Sequence, residues 1–249
     1  MPTSHRDTVR AQLLELARVD DRVTGAAITG SAAAGREDRW SDIDLFFGVT
    51  EVAEVLTDFS RYLYEQLGAL SHFDLAAGPA AYRGFLLPDL LEVDLGFAPT
   101  GEFRSYGTAP FQVVFGEPSA PRPGYRSDVG QLAGRIWHHV LHARSSIERG
   151  RPWLAEYWIS QIRFHVLTLA AERHGLDAAY AKGADSLPQP IKESLGAALV
   201  RDLDGPELFR AMAAAATTAL AELRQHDPAT AERLREPLLA LTDRTEAPQ

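Results

Sequence analysis

The sequence predicts an α+β protein, with a mixed sheet in its first half and an all-helical bundle in its second. Three observations carry this expectation. Short β-branched runs, some with period-two alternation, end near residue 115. A segment with three prolines and a glycine, EPSAPRPGY at 117–125, follows them and reads as a linker. Beyond it only helical spacing remains. The expected domains are 1–118 and 119–249.

Residues 4–19 place Val9, Leu13, Leu16 and Ala17 on one helical face. Residues 23–29 are short, β-branched and bounded by Gly30-Ser31, the pattern of a strand. GSAAAGREDRWS, 30–41, is a loop of small residues that can open into a short helix, and 43–49 is a second strand. A helix over 51–67 turns Val52, Val55, Leu56, Phe59 and Leu63 inward. A strand near 70–76 precedes a hairpin, RGFLLPDLLEVDLGF, that turns at Pro88-Asp89. FQVVF, 111–115, reads as a last buried strand. In the second half, helices are expected over 127–149, 153–174, 191–201, 205–225 and 228–243, punctuated by Gly150, Pro152, Pro188 and Pro190. The tail TEAPQ is expected to fray.

The chain has 249 residues, room for one large domain or two modest ones. It has no cysteine, which excludes disulfides, thiol catalysis and cysteine-ligated metals and fits a reducing compartment. The net charge of −9 argues against a nucleic-acid backbone as partner. No run approaches the roughly 18 apolar residues of a membrane span, and the charged N-terminus lacks the apolar core of a signal peptide. A cytoplasmic protein without membrane contact is expected.

The sharpest motif is Gly30-Ser31, ten residues, then Asp42-Ile43-Asp44. Carboxylates at i and i+2 on a strand point to the same side. Like charges repel there unless something compensates them, and a divalent cation is the simplest agent. Hard oxygen ligands suit magnesium or manganese. In LLEVDLGF, 90–97, Glu92 and Asp94 share a face opposite Leu91, Val93 and Leu95. A third acid on a neighbouring strand would complete a two-metal site, with ions roughly 3.5–4 Å apart. The Gly30-Ser31 turn would offer backbone N–H groups and a hydroxyl to phosphate oxygens, with the dipole of a following helix behind them.

GS-x10-DID with a later acid in EVDLGF resembles the polymerase-β-like nucleotidyltransferase superfamily over about residues 20–118. A small catalytic domain followed by helices, and IERGRPWLAEYWISQIR at 147–163, resemble the antibiotic nucleotidyltransferases that act on kanamycin-type aminoglycosides and lincosamides. The resemblance implies a nucleotidyltransferase domain and a helical substrate-binding domain. It implies that Asp42 and Asp44 bind two Mg2+ (or Mn2+) ions. Asp94 would bind the catalytic ion or take the acceptor's proton. Gly30 and Ser31 would hold the triphosphate. The implied reaction moves a nucleoside monophosphate, AMP being expected, from ATP or another NTP to a hydroxyl of a small molecule and releases pyrophosphate. Homodimers occur among similar enzymes.

Other residues carry weaker signals. Arg36 and Arg39 lie between Ser31 and Asp42, where guanidinium forks could reach the triphosphate, although GREDR mixes both signs as a solvated loop does. Glu92 is a lower-ranked base or substrate contact, with a solvent-facing acid the favoured reading. Glu156 could be the base that some antibiotic nucleotidyltransferases take from their helical domain, or a first-turn acid after Pro152. His138 and His142 share a helical face, but without an accompanying acid or cysteine motif they read as polar contacts rather than a zinc site. Trp137, Trp153, Tyr157 and Trp158 read as cleft wall or as bundle core and seam. Two other functions compete: adenylylation of a protein or tRNA, in the manner of minimal nucleotidyltransferase antitoxins, and a nucleotide-binding regulator without turnover.

Overall fold

The structure, a computed structural model, describes residues 5–107, 109–124 and 126–243. Ser4, at the expected start of the first helix, and the tail TEAPQ lie outside the described residues. The chain divides into two compact units, Met1–Tyr125 and Arg126–Gln249. The first unit is a mixed sheet with helices and the second is helical, an α+β chain.

The first unit runs α1 (His5–Val19), β1 (Val23–Ile28), α2 (Gly30–Ala33), β2 (Ile43–Val49), α3 (Val52–Glu65), β3 (Ser71–Ala77), β4 (Ala80–Leu86), β5 (Glu92–Pro99) and β6 (Gln112–Phe115). The sheet order is β3-β4-β5-β2-β1-β6. Only the β2–β5 pair is parallel.

Alternation sorts the two sheet faces. Ile43, Leu45, Phe47 and Val49 of β2, with Val93, Leu95 and Phe97 of β5, pack into one core with Val9, Leu13 and Ala17 of α1 and Val55, Phe59 and Leu63 of α3. Phe47, Phe59 and Phe97 meet pairwise at ring-centroid separations of 5.2 Å. The opposite face carries a smaller core of Phe46, Phe103, Tyr82 and Phe111. Asp44 and Asp94 fall on this second face by the same alternation.

Two expectations are corrected in this unit. β6 is an edge strand, with Gln112 and Val113 exposed, because it pairs only with β1. A continuous apolar run does not distinguish a central strand from an edge. The proline-rich segment is no free linker. Ser119 N–H donates to Phe103 O at 2.8 Å, Arg122 N–H to Ser105 O at 3.1 Å, and Arg122 pairs with Glu102 at 2.9 Å. Proline removes backbone donors, but its neighbours still dock.

The second unit contains α4 (Val129–Glu148), α5 (Pro152–Arg173), α6 (Gln189–Ala197), α7 (Gly205–His226) and α8 (Pro228–Thr242). Asp128, Asp204 and Asp227 cap α4, α7 and α8 by accepting from the backbone N–H three residues on. Its core joins Ile136 and Val140 of α4, Ile159, Ile162 and Val166 of α5, and the alanine stripe Ala211, Ala215 and Ala219 of α7. Alanine at this spacing lets helices approach closely.

The helix expected over 191–201 starts at Gln189, since Pro190 fits a first turn. It ends at Ala197, where the Arg210 guanidinium captures the carbonyls of Ala197 and Leu199. Trp137, Trp153 and Tyr157 are exposed rather than core, and Trp158 is partly buried against the bundle.

Candidate active site

The parallel register sets Asp44 of β2 directly opposite Asp94 of β5. Asp42 immediately precedes β2. The three carboxylates each offer an oxygen, and these oxygens lie within 4.8 Å of one another, all half-buried. Among the described residues this is the only group of three or more His, Asp or Glu so placed.

Gly30 completes the corner. Its φ of +60° is a conformation few L-residues adopt. A Cβ there would stand 1.8 Å from Asp44 Oδ2, an impossible contact. Thr29 N–H donates to Asp44 O at 3.0 Å, which ties the turn to β2. Ser31 Oγ is shielded from solvent and has no hydrogen-bond partner among the described residues. A buried hydroxyl without a partner is costly in an apoprotein, and a bound oxyanion would satisfy it. The helix after it, α2, is a single turn of four residues, so the helix dipole expected from the sequence contributes little.

The loop between Ser31 and Asp42 is held from α1. Arg6 Nη1 donates to Asp38 O at 2.6 Å and Ser41 O at 2.8 Å, and Arg6 pairs with Glu37 at 3.2 Å. Arg10 also pairs with Glu37. Sequence reasoning missed these positioning residues, although Arg6 and Arg10 at i and i+4 were a usable signal. Arg36 and Arg39 are exposed, and the Arg39 guanidinium lies 4.5 Å over the Trp40 ring. Both stand on the loop that follows the Gly30-Ser31 turn.

Glu92 is exposed at the start of β5 and stands outside the aspartate group. Glu156 belongs to the helical unit, where Ser160 Oγ donates to it and Arg163 Nη2 donates to Ser160 Oγ at 2.9 Å. The histidines form a cluster in that unit. His139 and His165 stack at 5.0 Å, and His138 and His142 lie 4.2 Å apart beside Trp158. Burial, followed by repulsion from His165, His138, Arg135 and His142, pushes the His139 imidazole down to about 4. Burial, then Arg135, also lowers His165.

Chemically, three converging carboxylates beside a glycine turn and an unsatisfied hydroxyl can hold hard divalent cations next to phosphate oxygens.

No helix among the described residues is long and apolar enough to cross a membrane. No protein-family model matches the chain, and no curated protein matches it. Among solved structures, the chain is similar to an aminoglycoside 6-adenyltransferase from Bacillus subtilis. That match is 15% identical, covers 93% of this chain and 91% of the other, and has a TM-score of 0.37.

Proposed function

We propose that the chain is a magnesium-dependent nucleotidyltransferase that moves a nucleoside monophosphate, AMP first among the candidates, from an NTP to a hydroxyl of a small molecule. The observation that carries this reading is the convergence of Asp42, Asp44 and Asp94 within 4.8 Å beside Gly30 and the unpartnered Ser31 hydroxyl. Asp42, Asp44 and Asp94 would hold the metal. Divalent ions bound there supply charge neutralisation for the triphosphate and for the entering oxygen.

The chain's own residues do the rest. The Gly30-Ser31 turn binds phosphate oxygens through backbone N–H groups and the Ser31 hydroxyl. The acceptor oxygen bonds to the α-phosphorus while the bond from that phosphorus to the bridging oxygen breaks. Pyrophosphate leaves with the electron pair. Asp94 takes the hydroxyl proton on the carboxylate oxygen that the metal would leave free. Rate enhancement comes from alignment and electrostatics, without a covalent enzyme intermediate. Aminoglycosides and lincosamides are the first acceptors to try, and the acidic balance of the chain favours cationic ones.

The test is pyrophosphate release with magnesium and each of ATP, GTP, CTP and UTP against a panel of both antibiotic classes, with Asp44→Asn as the blank. Release that depends on an acceptor and disappears in Asp44→Asn is the expected result. Absence of magnesium–nucleotide binding in the folded wild-type protein rejects the reading.

A further inference from the structure

The row of residues that carries the acids continues to the edge of the sheet. Asp44 pairs opposite Asp94, Asp94 opposite Gly84 of β4, and Gly84 opposite Phe73 of β3. Directly opposed residues share a face, so Phe73 stands on the acid face of the edge strand. Gly84 carries no side chain, and its neighbours occupy that space instead. A Cβ at Gly84 would lie 2.5 Å from Phe73 Cε1 and 2.7 Å from Asp94 Oδ1. The ring and the carboxylate therefore close over the same glycine.

Phe73 is nevertheless 50% exposed, and Leu75, two residues along the same face, is 48% exposed. The other face of β3 is engaged: His72 Nδ1 lies 2.7 Å from Tyr64 Oη, and Asp74 pairs with Arg83 at 2.6 Å. Among the described side chains of this strand, the large exposed apolar ones, Phe73 and Leu75, stand on the acid-facing side. A large ring half in water beside a carboxylate is a poor way to build a core and a good way to line a binding site, where apolar walls surround a few polar groups.

The sheet order fixes which reactant this surface serves. β1, whose end leads into the Gly30-Ser31 turn, lies on one side of the β2–β5 pair, and β3 lies on the other. We propose that Phe73 is the platform for the acceptor: a hydroxylated saturated ring, such as a pyranoside, stacks its C–H face on the phenyl ring and turns a hydroxyl toward Asp94. This assignment rests on the nucleotidyltransferase reading. With the triphosphate at Gly30-Ser31, acceptor and donor approach the acids from opposite sides, the arrangement an in-line displacement needs.

Calorimetry on the full chain tests it, with magnesium and α,β-methylene-ATP as a donor that does not turn over, and then kanamycin and lincomycin as ring probes. The variants are Phe73→Ala and Phe73→Tyr, each shown to be folded by its thermal melt; the exposed edge position makes both tolerable. In the expected result, nucleotide affinity is the same within about twofold in all three proteins. At least one ring probe binds the nucleotide-loaded wild type, binds Phe73→Ala at least tenfold more weakly, and regains affinity in Phe73→Tyr, as stacking aromatic rings predict. Equal probe binding in Phe73→Ala, or no probe binding to the nucleotide-loaded wild type, overturns the acceptor platform while leaving the nucleotidyltransferase reading intact. A loss of nucleotide affinity in Phe73→Ala assigns the ring to the donor and also overturns it. Failure of the wild type to bind the nucleotide removes both.

Discussion

One buried acid in the helical unit and one acid group in the sheet unit are handled in opposite ways. In the helical unit, buried charge is paired. Glu222 is almost wholly buried and accepts from Arg173 Nε and Nη2 at 2.7 and 2.9 Å, with His226 Nε2 at 3.5 Å. In the sheet unit, three carboxylates of one sign share a half-buried corner. A pair of opposite charges between α5 and α7 satisfies itself and needs no function to explain it. The sheet needs no carboxylates at those positions for its pairing or packing, and three that converge are the donor set a hard cation takes. The contrast separates two uses of charge: the paired charge holds helices, and the converging acids are the proposed cation site.

The largest expected effect sharpens that contrast. Asp42→Asn removes one of the three converging carboxylates at nearly constant size. Under the proposed function turnover should fall by at least about 100-fold, while the melting temperature holds. Pyrophosphate release and a thermal melt read the two outcomes. A variant that melts earlier yet keeps its activity would place the aspartates among the structural charges.

Next in size is the histidine cluster, where the helical unit buries imidazoles among other basic groups. His139 is held down to about 4, against 6.5 for a free imidazole. Between those values the unfolded chain takes up a proton that the folded chain refuses. Stability is therefore complete above pH 6.5 and declines as pH falls toward 4, by up to about 3 kcal/mol from His139. His139→Phe, which keeps a ring against Trp158 and His165, should lose less stability between pH 7.5 and 4.5 than the wild type in urea titrations. Parallel losses in the two proteins would move the acid sensitivity to other groups.

The smallest effect tests the paired charge itself. Arg173→Met strands Glu222 in the bundle core and should cost about 2 kcal/mol, less than a fully buried pair because Arg173 is partly solvated. Magnesium–nucleotide binding should not change. A urea midpoint that does not move, or a loss of nucleotide binding, would break the division between structural and functional charge.

Much of the local structure was legible in the sequence. Phe59 and Leu63 follow helical spacing, Ile43 and Leu45 alternate, and Pro88-Asp89 makes a turn, because each signal depends on neighbours within one element. The burial of β6 was misread and the docking of residues 117–124 was not foreseen, because both depend on partners elsewhere in the chain. Arg6 and Arg10 were visible as an i, i+4 pair, but nothing local says that Glu37 is their partner.

The same distinction divides the site. The sequence by itself determined the Asp42–Asp44 pair and the Gly30-Ser31 turn, since a strand's period of two and glycine's access to positive φ are properties of a short stretch of backbone. It could offer Asp94 only through alternation in β5. Only the tertiary structure decided that Asp94 meets Asp44, that the side-chain-free Gly84 lies beside it, and that the Phe73 ring closes over that glycine from the edge. It also decided that His139 stacks on His165. The physical reason is that strand register and helix packing are set by long-range contacts, and a one-residue slip in either would turn these side chains away from one another.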